Sequence, residues 1–300
     1  MRAFIFDQYG YYPSIDDVEF DYEGWHFVLE AVNDLQEVDI EALDEFASSV
    51  CKNFKNSGVK IIKNRYQQYL SKDEKGNLIL VAYKNYKFNI NDLFKIHLQY
   101  NGTPSKTPYR ISYLLSLWEE KISLIEEKII PSFKIDDYFY FRVMVSTIHA
   151  LGLGYNAIQY LAELKIDFND EITPLTLTHR RLNSFEPKVM LDPLSFVLDS
   201  PVRDLAELFK AKVITVTELL NSLKQYSFSI KEISLLMARL LFPTTLFDLL
   251  EKHYSERVDV RNQILNYYHH LNEYVKELKY IEQYLVANYG IRPIAWLNEQ

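Results

Sequence analysis

The residues best suited to chemistry are gathered in one short non-helical stretch, residues 176–206, within an otherwise helical region. It contains one histidine, His179, and the two acids Asp192 and Asp204. They occur in the strings Thr178-His179-Arg180-Arg181, Met190-Leu191-Asp192-Pro193 and Arg203-Asp204-Leu205-Ala206. A carboxylate such as Asp192 can hold a metal ion, and a histidine can brace a loop or transfer a proton. The arginine pair can bind an anion such as phosphate, or can pair with Asp192 or Glu186. These residue types direct attention to metal and phosphate chemistry.

In this order, the stretch resembles the core of the larger lobe in the aminoglycoside phosphotransferase and choline-kinase-like superfamily. The superfamily pattern is H-G-D-x-x-x-x-N, then an apolar strand ending in I-D, then D-L-A opening a helix. Asp192 and Asp204 are twelve residues apart, which is the common separation of the last two acids. The segment from Asp92 to His97 resembles the helix end that follows the hinge, so the resemblance gives His97 and Asp204 structural roles.

Two further strings are similar to the spore-coat-associated branch of this superfamily: Leu240-Leu241-Phe242-Pro243 and Pro201-Val202-Arg203-Asp204-Leu205-Ala206. The resemblance covers most of the chain. It implies an α+β, protein-kinase-like fold with two lobes. The smaller lobe, residues 1–86, has an antiparallel sheet and one helix. The larger lobe, residues 87–300, is mainly helical and carries the degenerate catalytic loop at 176–206.

Carried over position by position, the catalytic loop departs from the superfamily pattern. His179 matches the histidine, Arg180 falls on the glycine, and Arg181 falls on the catalytic aspartate. An arginine cannot accept a proton, because its guanidinium stays charged. Glu186 falls on the metal-binding asparagine, in a loop that is short for the family. Asp192 matches the metal-binding aspartate and is a possible metal ligand.

The smaller lobe also lacks the groups that anchor a nucleotide. Glu30 falls where the third strand of the superfamily carries its nucleotide-binding lysine, and a carboxylate there repels a triphosphate. Gly10 and Gly24 are isolated, so no glycine-rich loop presents backbone N–H groups to phosphates. Phosphoryl transfer needs a base, metal-holding acids, a lysine and a phosphate loop. The loss of several of these groups together predicts that no catalytic residue and no cofactor-binding residue remain.

Structural roles are expected for several of these candidate residues. His179 is expected to brace the loop by hydrogen bonds, and Asp192 to pair with a nearby arginine or a backbone amide. Asp204 is expected to cap its helix. The adjacent His269 and His270 lie on a helix and do not face the same way, so a solvated helix face is expected there rather than a metal site.

Hydrophobic spacing and turn residues predict the elements along the chain. In the first lobe they indicate strands, including Val59–Leu70 and Asn77–Tyr86, and a helix from Asp39, as its N-cap, to Asn56. Further helices are predicted from Asn91 as a cap, from Asp136 and Asp137 to His149, from Asn156 to Leu164, and in five segments after residue 203. Short strands are expected at Thr176–Thr178 and Lys188–Leu191.

The composition limits the classes of function. The chain has 300 residues and a net charge of −8, which is not the footprint of a nucleic-acid-binding protein. Cys51 is the single cysteine and is expected to be a small apolar filler, so no internal disulfide forms. The N-terminus has no apolar core of a signal peptide, and no run of 18 apolar residues occurs. We therefore expect no membrane span and a cytosolic location.

The leading interpretation is a pseudokinase that acts as a non-catalytic binding or scaffold protein. The resemblance to the spore-coat-associated branch implies a role in building the bacterial endospore coat. The protein would be made in the mother-cell cytoplasm and then deposited on the spore, with other coat proteins as partners. No cofactor is expected.

Two alternatives stay open. In the first, the protein is an atypical phosphotransferase that uses ATP and Mg²⁺, with a metal held by Asp192 and Glu186, and acts on a small molecule or a coat protein. In the second, it is a nucleotide or small-molecule sensor without turnover. The sequence leaves the partner, the ligand and the oligomeric state open.

Overall fold

The computed structural model describes residues 1–14, 16–74, 76–133, 138–256 and 258–298. The chain forms two compact units. Unit 1 comprises residues 1–101 and 177–197, and unit 2 comprises residues 102–176 and 198–300. The predicted division at residues 86 and 87 stays a prediction. Asp136 and Asp137, which were predicted to open a helix, lie outside the described residues.

Unit 1 is built on an antiparallel sheet. Its strands are β1 (Glu19–Tyr22), β2 (Trp25–Val32), β3 (Val59–Ile62), β4 (Ser71–Lys72) and β5 (Asn77–Lys84). The order across the sheet is β1-β2-β5-β3, and β4 also pairs with β5. β1 and β2 are joined by the tight turn Glu23-Gly24, both with positive φ, of 48° and 78°. A two-residue turn with this backbone suits the twist of a hairpin and leaves no long loop between the strands.

One face of this sheet is covered by a helix that the sequence did not predict. α1 (Arg2–Tyr9) ends at Gly10, whose φ of 84° lets its N–H bond to the carbonyl of Phe6. Ile5 is fully buried in a cluster with Phe20, Phe27 and other side chains of the sheet. The prediction of a single helix within residues 1–86 is therefore wrong, because the apolar N-terminus folds back onto the sheet.

The helix caps differ from those predicted. α2 (Glu37–Cys51) begins after Gln36, and Asp39 is its third residue, where its carboxylate accepts a hydrogen bond from the Gln36 N–H at 2.9 Å. This reciprocal arrangement is a capping box, which places the acid inside the helix rather than at the N-cap. α3 (Ile90–Gln99) is capped by Asn89, whose side chain accepts from the N–H of Asn91. Asn89 therefore holds the position that was predicted for Asn91.

The catalytic-loop stretch contains two strands and one helical turn: β6 (Thr176–His179), α7 (Pro187–Met190) and β7 (Phe196–Asp199). β6 pairs with β7. The predicted strand at Lys188–Leu191 is wrong, since Pro187 occupies the first helical position and Met190 N–H bonds to the Glu186 carbonyl at 2.9 Å. The pairing partner of β6 comes from further along the chain instead.

Unit 2 is helical apart from the strand ends. Its helices are α4 (Ile111–Leu124), α5 (Ile130–Ser132), α6 (Tyr138–Asp167), α8 (Val202–Lys210), α9 (Val216–Gln225), α10 (Ile230–Leu241), α11 (Thr244–Glu256), α12 (Arg261–Tyr289) and α13 (Ala295–Asn298). A π-helical turn, Ile125–Ile129, joins α4 to α5. α6 runs unbroken past Gly152 and Gly154, so the separate helix predicted from Asn156 is the second half of a longer one.

Among the described residues, no single helix combines the length and apolarity needed to cross a bilayer. The bent pair α10 and α11 meets that test only when its two helices are taken together. Every residue of α10 from Glu232 to Leu241 is buried in the fold, as expected for a core helix.

Candidate functional site

The candidate site lies in unit 1, where the catalytic-loop stretch contributes His179 to Asp192. The His179 side chain is fully buried, and its Nε2 lies 3.1 Å from the Met190 carbonyl oxygen. Because a carbonyl can only accept, Nε2 is the protonated nitrogen of the ring. The ring also packs against Phe196, with the centroids 5.3 Å apart. The histidine thus ties the beginning of the loop to its helical turn.

The two arginines that follow His179 lie on the surface. The Arg180 backbone N–H donates to the Ser195 carbonyl at 2.8 Å, which continues the pairing of the two strands. The Arg181 guanidinium donates to the Arg180 carbonyl at 2.8 Å. At the position predicted for the catalytic aspartate, the chain therefore presents an exposed cation that cannot act as a base.

Asp192 is partly buried and bonds to its own turn. Its carboxylate accepts a hydrogen bond from the Leu194 N–H at 2.9 Å. Burial raises the pKa of Asp192, while the bonds from Leu194 and Ser195 and the nearby His179 oppose that rise. Among the described residues, no group of three or more His, Cys, Asp or Glu side chains is arranged to hold a metal ion. The possible metal role of Asp192 stays a prediction.

Glu30 lies on β2, at the position expected for a nucleotide-binding lysine. Its carboxylate accepts a hydrogen bond from the Tyr83 hydroxyl at 3.2 Å. Burial, reinforced by the charge of Asp192, raises the pKa of Glu30 to about 7. The positions predicted for the lysine and for the metal ligand thus hold two acids, Glu30 and Asp192, and two negative charges there would disfavour a polyphosphate.

The catalytic-loop stretch contributes a lysine, Lys188, near these acids. The Lys188 ammonium donates to the Glu19 carboxylate of β1 at 2.8 Å. His26 of β2 lies 3.3 Å from the same carboxylate and 3.0 Å from Asp21. Glu186 is 4.0 Å from the Lys188 ammonium and mostly exposed. The lysine is already paired with protein carboxylates and is not an evident substitute for the missing anchor.

Beside this network, unit 1 has an open cleft of about 490 Å³. The β1–β2 hairpin contributes Gly24, Trp25 and His26 to its wall, the end of β5 contributes Tyr83, and α7 contributes Lys188. Its size is within the range of small-molecule sites, which is roughly 300–1,000 Å³. The cleft is lined by an indole, a phenol, acids and a paired lysine, and it has no glycine-rich loop.

The structural residues predicted from sequence are buried. His97 lies in α3, with its ring 5.8 Å from that of Phe94. Asp204 lies in the first turn of α8 and is fully buried. The residue before that helix is Pro201, so the expectation that Asp204 is the N-cap is wrong.

Sequence reasoning missed the residues that hold these positions in place. In unit 1 they are Tyr83, Lys188 and Glu19. In unit 2 the buried carboxylate of Asp199 accepts bonds from Arg239 at 2.7 Å and from Arg203 at 2.8 Å. No local motif marks these partners, although a buried position for Arg239 follows from the apolar residues on both sides of it in the sequence.

Comparison with known proteins identifies the family of the chain. Residues 4–287 match the family described as "Spore coat putative kinase YutH". The endospore coat-associated protein YutH of Bacillus subtilis (strain 168) is 28% identical over 193 residues, which cover 57% of this chain and 56% of that protein. The alignment thus spans little more than half the length of this curated relative.

Solved structures show the fold. An aminoglycoside phosphotransferase from Alicyclobacillus acidocaldarius has a TM-score of 0.54 and 10% identity, with 90% of each chain covered. A spectinomycin phosphotransferase, solved with ADP and spectinomycin, has a TM-score of 0.56 and 13% identity, covering 94% of this chain and 97% of that one. The predicted fold class is confirmed: a small sheet-containing N-lobe and a mainly helical C-terminal part, as in aminoglycoside phosphotransferases.

Proposed function

The chain belongs to the spore coat YutH family, and on that premise we propose that it is a pseudokinase of the endospore coat. It keeps a kinase-like fold and acts by binding other proteins rather than by transferring phosphate. The charge reversal at the two positions that matter most supports this proposal. A buried carboxylate, Glu30, stands at the lysine position, and an exposed guanidinium, Arg181, stands at the position of the base.

The geometry makes each loss hard to compensate. A base must take a proton from the acceptor hydroxyl, and Arg181 has no lone pair to offer. Glu30 accepts a hydrogen bond from Tyr83, and its burial, together with the charge of Asp192, disfavours its ionisation. When residues of one catalytic unit are lost together, little rate enhancement remains. The proposed function of the fold is then to bind other proteins through its surface.

The partners and the location follow from the family. The Bacillus subtilis relative is an endospore coat-associated protein, so other coat proteins are the proposed partners. The proposed route is synthesis in the mother-cell cytoplasm followed by deposition on the spore. The net charge of −8 fits this role better than one in nucleic-acid binding.

A second candidate function is that of a small-molecule sensor without turnover, which the cleft of about 490 Å³ supports. Its mixed wall of Trp25, Tyr83 and Asn85 could hold an aromatic ligand, and its acids disfavour a polyphosphate. An atypical phosphotransferase is the third candidate and rests on the retained Asp192 alone.

Nucleotide binding separates these candidates. The thermal unfolding of the full chain would be measured with ADP or ATP at millimolar concentration, with Mg²⁺ or Mn²⁺ and with EDTA. A ligand that binds only the folded state raises the melting temperature by mass action. The pseudokinase proposal expects no metal-dependent rise. A rise that is abolished in Asp192→Asn and retained in Glu119→Gln, an exposed control on α4 outside the candidate site, would revive the phosphotransferase.

The scaffold role needs its own measurement. Tagged chain expressed during sporulation should co-purify with coat proteins, and a tagged aminoglycoside phosphotransferase of the same fold serves as the control. Equal recovery of coat proteins on both baits would contradict the scaffold role, whatever the nucleotide result.

A further inference from the structure

Unit 2 has a cavity of about 450 Å³ at the C-terminal end of α8. Pro243 and Leu249 of the α10–α11 region form one wall, and Leu271 and Tyr274 of α12 form another. The N-terminal end of the same helix carries Asp204 and follows the Asp199 ion pairs, so the cavity lies at the opposite end of α8 from them. Its size and apolar walls are those of a small-molecule site.

Tyr267 supplies a hydroxyl to this cavity. Burial alone raises its pKa, and no hydrogen bond from a described residue contributes to the shift. The hydroxyl therefore stays neutral at physiological pH and keeps both its donor and its acceptor capacity. The Tyr267 side chain is half-buried, and a ligand group in the cavity would give its hydroxyl a hydrogen-bond partner.

His270 supplies the complementary group. Its Nδ1 lies 2.7 Å from the carbonyl oxygen of Asn266, one turn earlier in α12. Since that oxygen can only accept, Nδ1 donates to it, and in the neutral form of the ring the lone pair is on Nε2. The side chain lines the cavity and offers an acceptor there. Its neighbour His269 contacts Tyr268 instead and is not among the lining residues.

The cations at the rim are already neutralised. Lys212 pairs with Glu277 and lies 5.8 Å from the centre of the Tyr274 ring. Lys210 pairs with Glu207 at 2.7 Å. Lys212 also adopts a left-handed backbone, with φ of 59°, which is uncommon for a residue other than glycine or asparagine. With both ammonium groups paired, the cavity gives an anionic ligand no clear advantage over a neutral one.

We propose that this cavity binds a neutral aromatic molecule that carries a hydroxyl group. The hydroxyl donates to His270 Nε2 and accepts from Tyr267, and the ring packs between Pro243, Leu249 and Tyr274. This site is separate from the kinase-like positions of unit 1, and it does not depend on the scaffold role. It adds to the protein a small-molecule response that the loss of catalysis leaves intact.

The test uses 2-naphthol as the probe. The control compound is 2-methoxynaphthalene, in which a methoxy group replaces the hydroxyl, so it cannot donate a hydrogen bond. Binding of each to the full chain is titrated by calorimetry, and the ratio of the two affinities is the readout. We expect 2-naphthol to bind about three- to tenfold more tightly, the ratio that corresponds to one hydrogen bond. In His270→Phe the two probes should bind equally, whereas His269→Phe, the matched control, should keep the preference.

Tyr267→Phe provides a second variant that preserves packing, and it should weaken 2-naphthol by a similar factor. Circular dichroism and the melting temperature confirm that each variant is folded. The proposal is overturned if 2-naphthol does not bind up to its solubility limit, or if the preference for it survives in His270→Phe.

Discussion

The hydroxyl of Tyr83 donates to the carboxylate of Glu30 across 53 positions of sequence, at a distance of 3.2 Å. The bond joins two neighbouring strands, β2 and β5, at the residue predicted to replace the nucleotide-binding lysine. Burial and the nearby Asp192 raise the pKa of Glu30 to about 7. A phenol donor and a carboxyl group that readily takes up a proton thus occupy the position predicted for a permanent cation.

The first prediction concerns stability and pH. The pKa of Glu30 is raised to about 7 in the folded chain, from the ordinary value of 4.5 that applies to the unfolded chain. Between pH 4.5 and pH 7 the folded state therefore binds more protons than the unfolded state. The free energy of unfolding should therefore fall as the pH rises from about 4.5 to about 7. Glu30→Gln mimics the protonated acid, and it should gain about 1 to 2 kcal/mol over the parent at pH 8.

Urea denaturation at pH 5 and pH 8 measures this difference. Glu186→Gln is the control, because that side chain is mostly exposed and should leave the pH dependence unchanged. Asp192, whose pKa is also raised, should leave a smaller slope of the same sign in the Glu30→Gln variant. An unchanged slope in that variant would show that Glu30 is ionised in the folded chain at neutral pH.

The second prediction concerns the brace at His179. Replacing the buried ring by leucine removes the bond to the Met190 carbonyl, at 3.1 Å in the parent, and leaves that carbonyl unpaired. We expect a loss of about 1 to 3 kcal/mol in stability and faster amide hydrogen exchange across residues 182–191. Arg181→Asp, an exposed change in the same loop, should alter neither. Unchanged exchange in His179→Leu would show that the loop is held by other contacts.

The third prediction compares two arginine–aspartate pairs. Arg239 pairs with Asp199 in the interior, where the aspartate side chain is 1% exposed. Arg292 pairs with Asp167 at the surface, where the arginine side chain is 44% exposed. Arg239→Met should destabilise the fold by about 3 to 5 kcal/mol, because it removes a main partner of a buried carboxylate. Arg292→Met should cost much less than Arg239→Met, because solvent screens the surface pair.

Chemical denaturation gives both values for the arginine variants. Asp199→Asn combined with Arg239→Met should recover part of the loss, since the uncompensated charge is then gone. Equal costs for the two single variants would mean that the interior pair is hydrated.

The fourth prediction concerns two glycines in α6. A Cβ at Gly152 would meet no heavy atom within 4 Å, whereas one at Gly154 would lie 3.0 Å from the Ile122 side chain. Gly152→Ala should therefore stabilise the chain by about 0.5 to 1 kcal/mol, the helix-propensity gain of alanine. Gly154→Ala should gain less or lose stability, because Ile122 must move. The melting temperatures of the two variants measure this difference. A larger gain in stability for Gly154→Ala than for Gly152→Ala would contradict the close contact between residue 154 and Ile122.

The fold class was predictable from a resemblance carried by a few short strings, and the solved structures confirm it. The same resemblance places Arg181 and Asp192 at the positions of the base and the metal ligand, and these assignments stay predictions. Helical periodicity located most of the large-lobe helices, because one face of each is buried. The same periodicity could not distinguish the apolar run at Lys188–Leu191 from a strand, and Pro187 at its start makes it a helical turn.

The sequence by itself determined which chemical groups are present: a guanidinium at the position predicted for the base, a carboxylate at the position predicted for the lysine, and no glycine-rich loop. Tertiary structure decided what those groups contact. Tyr83 meets Glu30, Arg239 meets Asp199 forty residues away, and α1 lies against the sheet because distant apolar surfaces are buried together. Contacts between remote segments produce no periodic pattern in the sequence. The raised pKa of Glu30, the hydrogen bond of His179 and the cavity beside Tyr267 and His270 therefore depend on the folded structure.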